Sequence, residues 1–236
     1  MRLNKYIAST GRCSRRAADE LIEAGRVRLN GRPAKAGDRV LPGDAVTVDG
    51  RAVQIEEGQV CLMLHKPVQV VSTASDPQGR RTVLDFVPEA YRHLRLYPVG
   101  RLDYFSEGLI LLTNDGALAQ RLTHPSHRQT KVYQVLVRGQ VTAAVLRTLR
   151  GGMTLAEGDR TAPCEVMAAG APNGETLLTI TLHQGLNRQI RRMCRDTGLT
   201  VLRLKRVAEG GLGLGSLAPG QVRELAPEEV RALRED

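Results

Sequence analysis

The strongest constraint on this chain is a short apolar run, Leu109–Thr113, wedged between the charged stretch "GRLDYFSEG" and the turn "NDG". It falls far below the ~18 residues of a membrane span, and its turn-like flanks mark it as a core strand. Arg101 and Asp103 stand at the mouth of that strand. A carboxylate anchored there is rigidly held, as a nucleophile must be. It also needs a cation to keep it ionised, because burial disfavours the charged form. Arg101 and an arginine of "LNRQIRRMC" are the two candidates. A purely structural ion pair, tying loop to strand, fits the same residues.

Around this strand the pattern predicts a mixed architecture. "VCLML", "GLILLT", "KVYQVLV", "TLLTITL" and "VLRLKRV" are strand-like, whereas "DGALAQRL", "TAAVLRTL" and "RQIRRMCRDTG" are helix-like. Strands outnumber helices without alternating strictly with them, so the expected class is α+β rather than a doubly wound sheet. The turn after Asp103 is expected to span Ser106–Gly108. No G-x-G-x-x-G or P-loop pattern occurs, so no nucleotide cofactor is expected.

The first 50 residues form a separate pattern. Leu3, Tyr6 and Ile7 recur at helical spacing, with Gly11 as the stop. Ser14 is placed to cap a second helix with the apolar face Ala17, Ala18, Leu21 and Ile22. "VRLNG" and "AVTVDG" follow as strands closed by Asn-Gly and Asp-Gly turns. Residues 51–59, "RAVQIEEGQ", are a polar connector, and residues 60–236 make up the larger domain. At roughly 100–200 residues per domain, a 236-residue chain accommodates one medium and one small unit.

Charge is patterned in the same way. The chain carries a net +9, and residues 1–39 alone hold ten Lys and Arg against four acids. Residues 185–206 hold seven against one, while the tail from Arg223 is net acidic. Such a distribution favours a polyanion. Arg12, Arg15 and Arg16 cluster at the start of the second helix, with Arg2, Lys5, Arg26 and Arg28 nearby. They suit phosphate contacts, although a solvated basic face has the same composition. Over nearly its whole length, this segment resembles the S4 RNA-binding domain, notably in "CSRRAAD" and "VRLNG". The resemblance implies a small helix-helix-strand unit that recognises structured RNA through shape and backbone.

Two further segments carry candidate chemistry. On "KVYQVLV", Tyr133, Val135 and Val137 share one face. Tyr133 is compatible with core packing, with stacking on a base, or with proton transfer. In the basic helix, Ile190, Met193, Cys194 and Thr197 fall at core spacing, while Arg188, Arg191 and Arg195 recur on another side, free for a cleft or RNA.

Taken in order, "LHKPVQVVST", "PVGRLDYFSEGLILLTNDG", "KVYQVLV" and "GLNRQIRRMC…VLRLKRV" resemble the pseudouridine synthases. The branch is the one with an N-terminal S4 domain that includes ribosomal small-subunit synthase A and large-subunit synthases B, E and F. "QGLNRQIRRMC" and the "RLNKYI" start are most similar to the synthase F type. The resemblance implies a catalytic domain on a mixed, mainly antiparallel sheet, and cofactor-free isomerisation of uridine in ribosomal RNA. Asp103 would be the nucleophile, Tyr133 the active-site tyrosine, Arg191 the aspartate's cation, and Arg101 the residue entering the gap left by a flipped base. Asn187, Arg188 and Arg192 would join the basic residues of the S4 unit in RNA contacts. The implied partner is ribosomal RNA, foremost 23S, or a ribosomal assembly intermediate. Action on 16S rRNA or tRNA, and a catalytically silent RNA-binding or assembly factor, remain open. A nuclease would call for clustered carboxylates or paired histidines, which the sequence lacks.

The remaining expectations are plain. Tyr104-Phe105 stands where relatives carry polar or acidic residues, and Phe105 either packs beside the strand or stacks on a nucleotide. Lys66-Pro67 is structural. His65, His124, His127 and His183 are ordinary loop or surface residues. Cys13, Cys61, Cys164 and Cys194 lie too far apart for a zinc site, so no metal is expected, and they read as free thiols of a reducing compartment. No secretory leader or membrane span is visible, which makes a cytoplasmic monomer the expected form.

Overall fold

The computed structural model describes residues 1–55, 58–124, 126 and 129–235. At its N-terminus, helices α1 (Leu3–Ser9) and α2 (Arg15–Glu23) precede strands β1 (Val27–Leu29), β2 (Arg32–Pro33), β3 (Val46–Val48) and β4 (Arg51–Ala52). The strands pair antiparallel in the order β2-β1-β3-β4. The Ser14 side chain accepts a hydrogen bond from the Ala17 amide and so caps α2. Asn30-Gly31 and Asp49-Gly50 both adopt positive φ, the geometry of tight hairpin turns. Leu3, Ile7, Ala18, Ile22, Val27, Leu29, Val46 and Val48 fill the small core.

The connector begins later than the sequence suggests. Arg51 and Ala52 pair with Val48 and Thr47, Val53 is buried, and the Tyr6 hydroxyl donates to the Val53 carbonyl at 3.3 Å. The N-terminal unit therefore runs through Val53. Its last strand is two residues long and polar, which left no hydrophobic alternation to read. Glu56 and Glu57 of the connector lie outside the described residues.

The rest of the chain builds β5 (Cys61–Lys66), β6 (Tyr97–Val99), β7 (Glu107–Thr113), α3 (Gly116–Thr123), β8 (Lys131–Arg138), α4 (Ala143–Gly151) and β9 (Glu165–Gly170). It continues with β10 (Thr176–Leu182), α5 (Gln189–Asp196), β11 (Thr200–Glu209), β12 (Leu212–Gly213), β13 (Val222–Glu224) and α6 (Pro227–Glu235). The described residues form a nine-stranded sheet in the order β13-β5-β7-β11-β8-β10-β9, with β6 paired to β7 and β12 to β11. Every pairing is antiparallel except the short parallel contact of β7 with β11.

The apolar run is explained by cover on both faces. Leu109 and Leu111 pack with Leu118 and Leu122 of α3 and Leu233 of α6. Ile110 and Leu112 pack on the opposite side with Val70, Val83, Leu96 and Leu102. A second large core joins β8, β10 and β11 to α4 and α5 through Val135, Leu149, Ile180, Ile190 and Met193. The edge strand β9 and the short β6 and β13 escaped the sequence pattern, as did α6. In β9 only Val166 is buried, so alternation is missing.

The strand also starts earlier than expected, at Glu107 rather than Leu109. The turn is correspondingly tighter: the Ser106 amide donates to the Asp103 carbonyl at 3.0 Å. Gly108 is thus inside β7, opposite Arg206. Its φ is +110°, and a Cβ there would lie 2.2 Å from the Arg206 carbonyl oxygen. Only glycine permits this approach. Gly108→Ala should destabilise the protein by about 3 kcal/mol or more, measured by denaturant titration, because the clashing atom is backbone and cannot rotate away.

Candidate active site

A cleft of about 970 Å³ opens between the turn after β6, the segment between β5 and β6, and the ends of β8, β10 and β11. Asp103 lines it, with its side chain 27 % exposed. Two guanidiniums flank its Oδ2: Arg188 Nη1 at 3.7 Å and Arg191 Nε at 3.8 Å. These distances describe ion pairs rather than direct hydrogen bonds. The Arg191 Nε is buried without a hydrogen-bond partner, while its Nη2 donates to the Phe105 carbonyl at 2.7 Å. One side chain therefore fixes the turn and faces the carboxylate that the turn presents. Burial, and then neighbouring Arg188, lower the pKa of Arg191, against the opposing pull of Asp103.

Local backbone geometry places both cations. Arg188 caps α5 in the left-handed region, at φ 49° and ψ 33°. This is an uncommon setting for a long side chain and marks an over-determined position. Of the two candidate partners for Asp103, the structure selects the basic helix and its cap. Arg101 is exposed and lines the cleft without pairing to Asp103.

Tyr133 stands at the cleft with Ile180 across from it on one side and Arg206 on the other. Burial raises its phenol pKa, partly countered by the adjacent Arg206 charge. Tyr133 is therefore a neutral phenol at physiological pH. Arg206 is itself buried: its Nε donates to the Leu109 carbonyl at 2.8 Å, and its Nη2 lies 3.1 Å from Glu209 Oε2. Lys131 Nζ approaches the same carboxylate at 3.8 Å. Sequence inspection gave Arg206 and Glu209 no role, although Arg206 sits two residues beyond Leu204 on one face of an alternating strand. An arginine at an inward position was the available signal.

Lys66, read from the sequence as structural, also lies at the site. Fully buried, it donates from Nζ to the carbonyls of Pro67 at 2.9 Å and Ser106 at 2.7 Å. Its structural assignment is consistent with this, but its position directly beneath the Asp103 turn was not foreseen.

Several expectations need correction. Arg192 pairs with Asp159 at 2.6 Å and Glu157 at 3.0 Å, and its side chain is only 12 % exposed. Its charge braces the 155–159 loop and is not available to RNA. Arg195 likewise binds Glu157 and Asp196 and is not among the residues lining the cleft, although its side chain stays exposed. His65 is buried in β5, with Nδ1 2.6 Å from the Leu217 carbonyl, and burial lowers its pKa. Phe105 does not pack beside the strand but is 59 % exposed. His124 and His183 are exposed, and His127 lies outside the described residues.

Asn187 and Arg188 are exposed along the cleft. In the N-terminal unit Arg2, Arg12, Arg15, Arg16, Arg26 and Arg28 are exposed and Lys5 is half-buried. Arg12 and Arg26 share Asp49, and Arg28 donates to the Gly31 carbonyl.

Comparison with known proteins matches residues 60–196 to the RNA pseudouridylate synthase family and residues 1–46 to the S4 domain. The chain is 42 % identical over 236 residues to ribosomal large subunit pseudouridine synthase B of Bacillus subtilis, covering 99 % of this chain and 95 % of the relative. The chain belongs to the RNA pseudouridine synthase family. The dual-specificity RNA pseudouridine synthase RluF of Escherichia coli K12 is 41 % identical over 232 residues, covering 98 % of this chain and 77 % of that protein. Identity thus does not separate the B and F types. A crystal structure of a pseudouridylate synthase superposes with a TM-score of 0.70 at 28 % identity, covering 99 % of both chains. The synthase is an enzyme on this fold. No helix among its described residues is long and apolar enough to cross a membrane.

Burial lowers the Lys66 amine from its usual 10.5 to about 8. Between those values the unfolded chain holds a proton that the folded synthase has released, so stability attributable to Lys66 rises with pH across that window. Denaturant titrations should show the wild type gaining on the order of 2 kcal/mol relative to Lys66→Met between pH 8 and 10.5.

Proposed function

We propose that the synthase converts a specific uridine of 23S ribosomal RNA to pseudouridine, with Asp103 as its nucleophile. The observation that carries this is a partly exposed carboxylate held between two arginines, Arg188 and Arg191, in the same cleft as a half-buried tyrosine. The large-subunit designation of the Bacillus subtilis relative, matched over almost its full length, favours 23S RNA as the target.

The target base leaves its stack at a cost of a few kcal/mol. Arg101, exposed at the rim, enters the vacated position, where a planar guanidinium both stacks and donates hydrogen bonds. Inside the cleft the Asp103 carboxylate engages the ribose at C1′ as the N1–C1′ bond breaks. The freed uracil turns, C5 bonds to C1′ as the Asp103 carboxylate leaves that carbon, and the C5 proton is lost while N1 regains one, so that the product is an isomer of the substrate and the carboxylate is restored. Tyr133 enters as a neutral phenol, which suits it to contact the base and hand on a proton rather than to start as a phenolate. Arg188 and Arg191 balance the carboxylate's charge before and after reaction. Arg206, Glu209 and Lys131 form the charged support beneath Tyr133.

The N-terminal unit supplies affinity. Arg15 and Arg16 lie exposed in the first turn of α2, and Arg12 stands just before it. Arg15→Ala and Arg16→Ala should each weaken binding to 23S transcripts and lower the slope of log affinity against log salt by about 1.

Asp103→Asn should bind RNA yet reduce pseudouridine formation to the uncatalysed background, read by carbodiimide derivatisation and primer extension on unmodified 23S rRNA. Tyr133→Phe should slow the reaction about 10²–10⁴-fold in the same assay. Modification by Asp103→Asn at the wild-type rate would remove the catalytic assignment.

A further inference from the structure

We propose that Phe105, set edge-on against Tyr104 beside the cleft, is a stacking platform for an unpaired nucleobase flanking the target uridine. This rests on the function proposed above, in which a strand of RNA enters the cleft with one base removed from its stack.

The synthase has only two phenylalanines, and they are treated differently. The guanidinium of Arg81 covers the Phe86 ring at 4.1 Å, whereas Phe105 is 59 % exposed. Leaving so large a ring largely in water forgoes much of the free energy its burial would supply. The backbone that carries the ring is nevertheless firmly held, and the ring has an aromatic neighbour. Its centroid lies 5.0 Å from that of Tyr104 at an interplanar angle of 81°. Tyr104 accepts the Gln69 amide at 2.7 Å, and Phe105 accepts Arg191 Nη2 at 2.7 Å. Lys66 Nζ holds the next carbonyl, that of Ser106, also at 2.7 Å. A ring on so constrained a turn loses little freedom on binding, which is the condition for a productive stacking surface.

The surroundings identify the occupant as nucleic acid. Tyr104 lines the cleft and Phe105 follows it directly, two residues beyond Asp103. Exposed Arg101 and Arg188 give the cleft a cationic margin for phosphates, while Arg80, which lies close to Tyr104, is paired with Asp76 at 2.7 Å. Flipping a uridine leaves its neighbours with an open face, and an aromatic ring replaces the lost stack without reading the base's identity. A protein partner would meet instead a margin of two arginines around a single pair of rings.

The test uses the full-length synthase and a short single-stranded oligouridine carrying one 2-aminopurine. Wild type should bind the probe and quench its fluorescence. Phe105→Ala should bind about tenfold more weakly and lose the quenching, as one lost base stack requires. Phe105→Trp should retain both, and Phe105→Leu should behave like the alanine variant. The salt slope should stay constant in all, since no charge is removed, while Arg101→Ala should lower it. The proposal is overturned if wild type fails to bind the probe, if alanine matches wild type, or if leucine matches phenylalanine. A change in oligomeric state with alanine, seen by size-exclusion chromatography, would equally overturn it in favour of a protein interface. If wild type quenches through Phe105 but leaves 23S rRNA unmodified, the target assignment fails and the platform stands. If Phe105→Ala modifies 23S rRNA with the wild-type KM and still quenches the probe, the platform fails and the assignment stands.

Discussion

The close approach of Gly108 to the Arg206 backbone is the constraint on which the site depends. It joins β7 to β11 in the one parallel contact among the described pairings of the large sheet. The turn that presents Asp103 feeds into β7, and Tyr133 lies on β8, the other neighbour of β11. Without this approach the carboxylate and the phenol would belong to two loosely related halves. Cross-strand spacing of roughly 5 Å per strand then places them at opposite walls of one cleft. The geometry of the proposed site is thus set by a backbone contact that contains neither of the groups proposed to react.

Charge burial reinforces this arrangement. Lys66 and Arg206 lie beneath the surface holding carbonyls from distant parts of the chain, and buried Glu209 pairs with Arg206 and with Lys131. Breaking a buried ion pair by removing one member costs about 3–5 kcal/mol, because the other remains desolvated. Replacing such pairs by apolar residues of equal volume is often neutral, so stability alone does not account for their presence. Their positions do. Lys66 holds the carbonyl of Ser106 under the Asp103 turn, Arg206 holds the Leu109 carbonyl and stands beside Tyr133, and Glu209 fixes Arg206. Each charge restricts the backbone or side chain from which a proposed active-site group projects. The ionic layer defines a conformation that an apolar layer would leave free to slide.

Much of this was legible from the sequence, and the limits have physical causes. Long strands with two-faced or alternating burial, capped helices and Asn-Gly or Asp-Gly turns announce themselves locally, and each was found where the pattern placed it. The acid at the mouth of the core strand was also conspicuous. The choice of its cation was not, because Arg101 is adjacent in sequence whereas Arg188 and Arg191 arrive through tertiary folding. Arg192 shows the converse. Its helical neighbours suggest an RNA contact, but Glu157 and Asp159 reach it from a loop over thirty residues away. His65 failed for a simpler reason: a strand buried on both faces carries no alternation that would separate a core histidine from a surface one.

The fate of the arginines changes what the net charge means. A chain at +9 invites the view that its whole surface attracts RNA, yet a large share of its guanidiniums is neutralised internally. Arg192 and Arg195 brace α5 against the 155–159 loop, Arg223 binds Glu229, and Arg234 binds the Asp115 cap of α3. Arg15, Arg16, Arg101 and Arg188 lie exposed, in the N-terminal helix or along the cleft. Counterion release depends on cations that reach phosphates, so affinity follows this smaller, localised set. Two separated cationic areas also constrain orientation in a way a uniform shell would not. RNA held by the first would present only part of itself to the second, and the proposed selectivity for one uridine would begin with that geometry before any base is read.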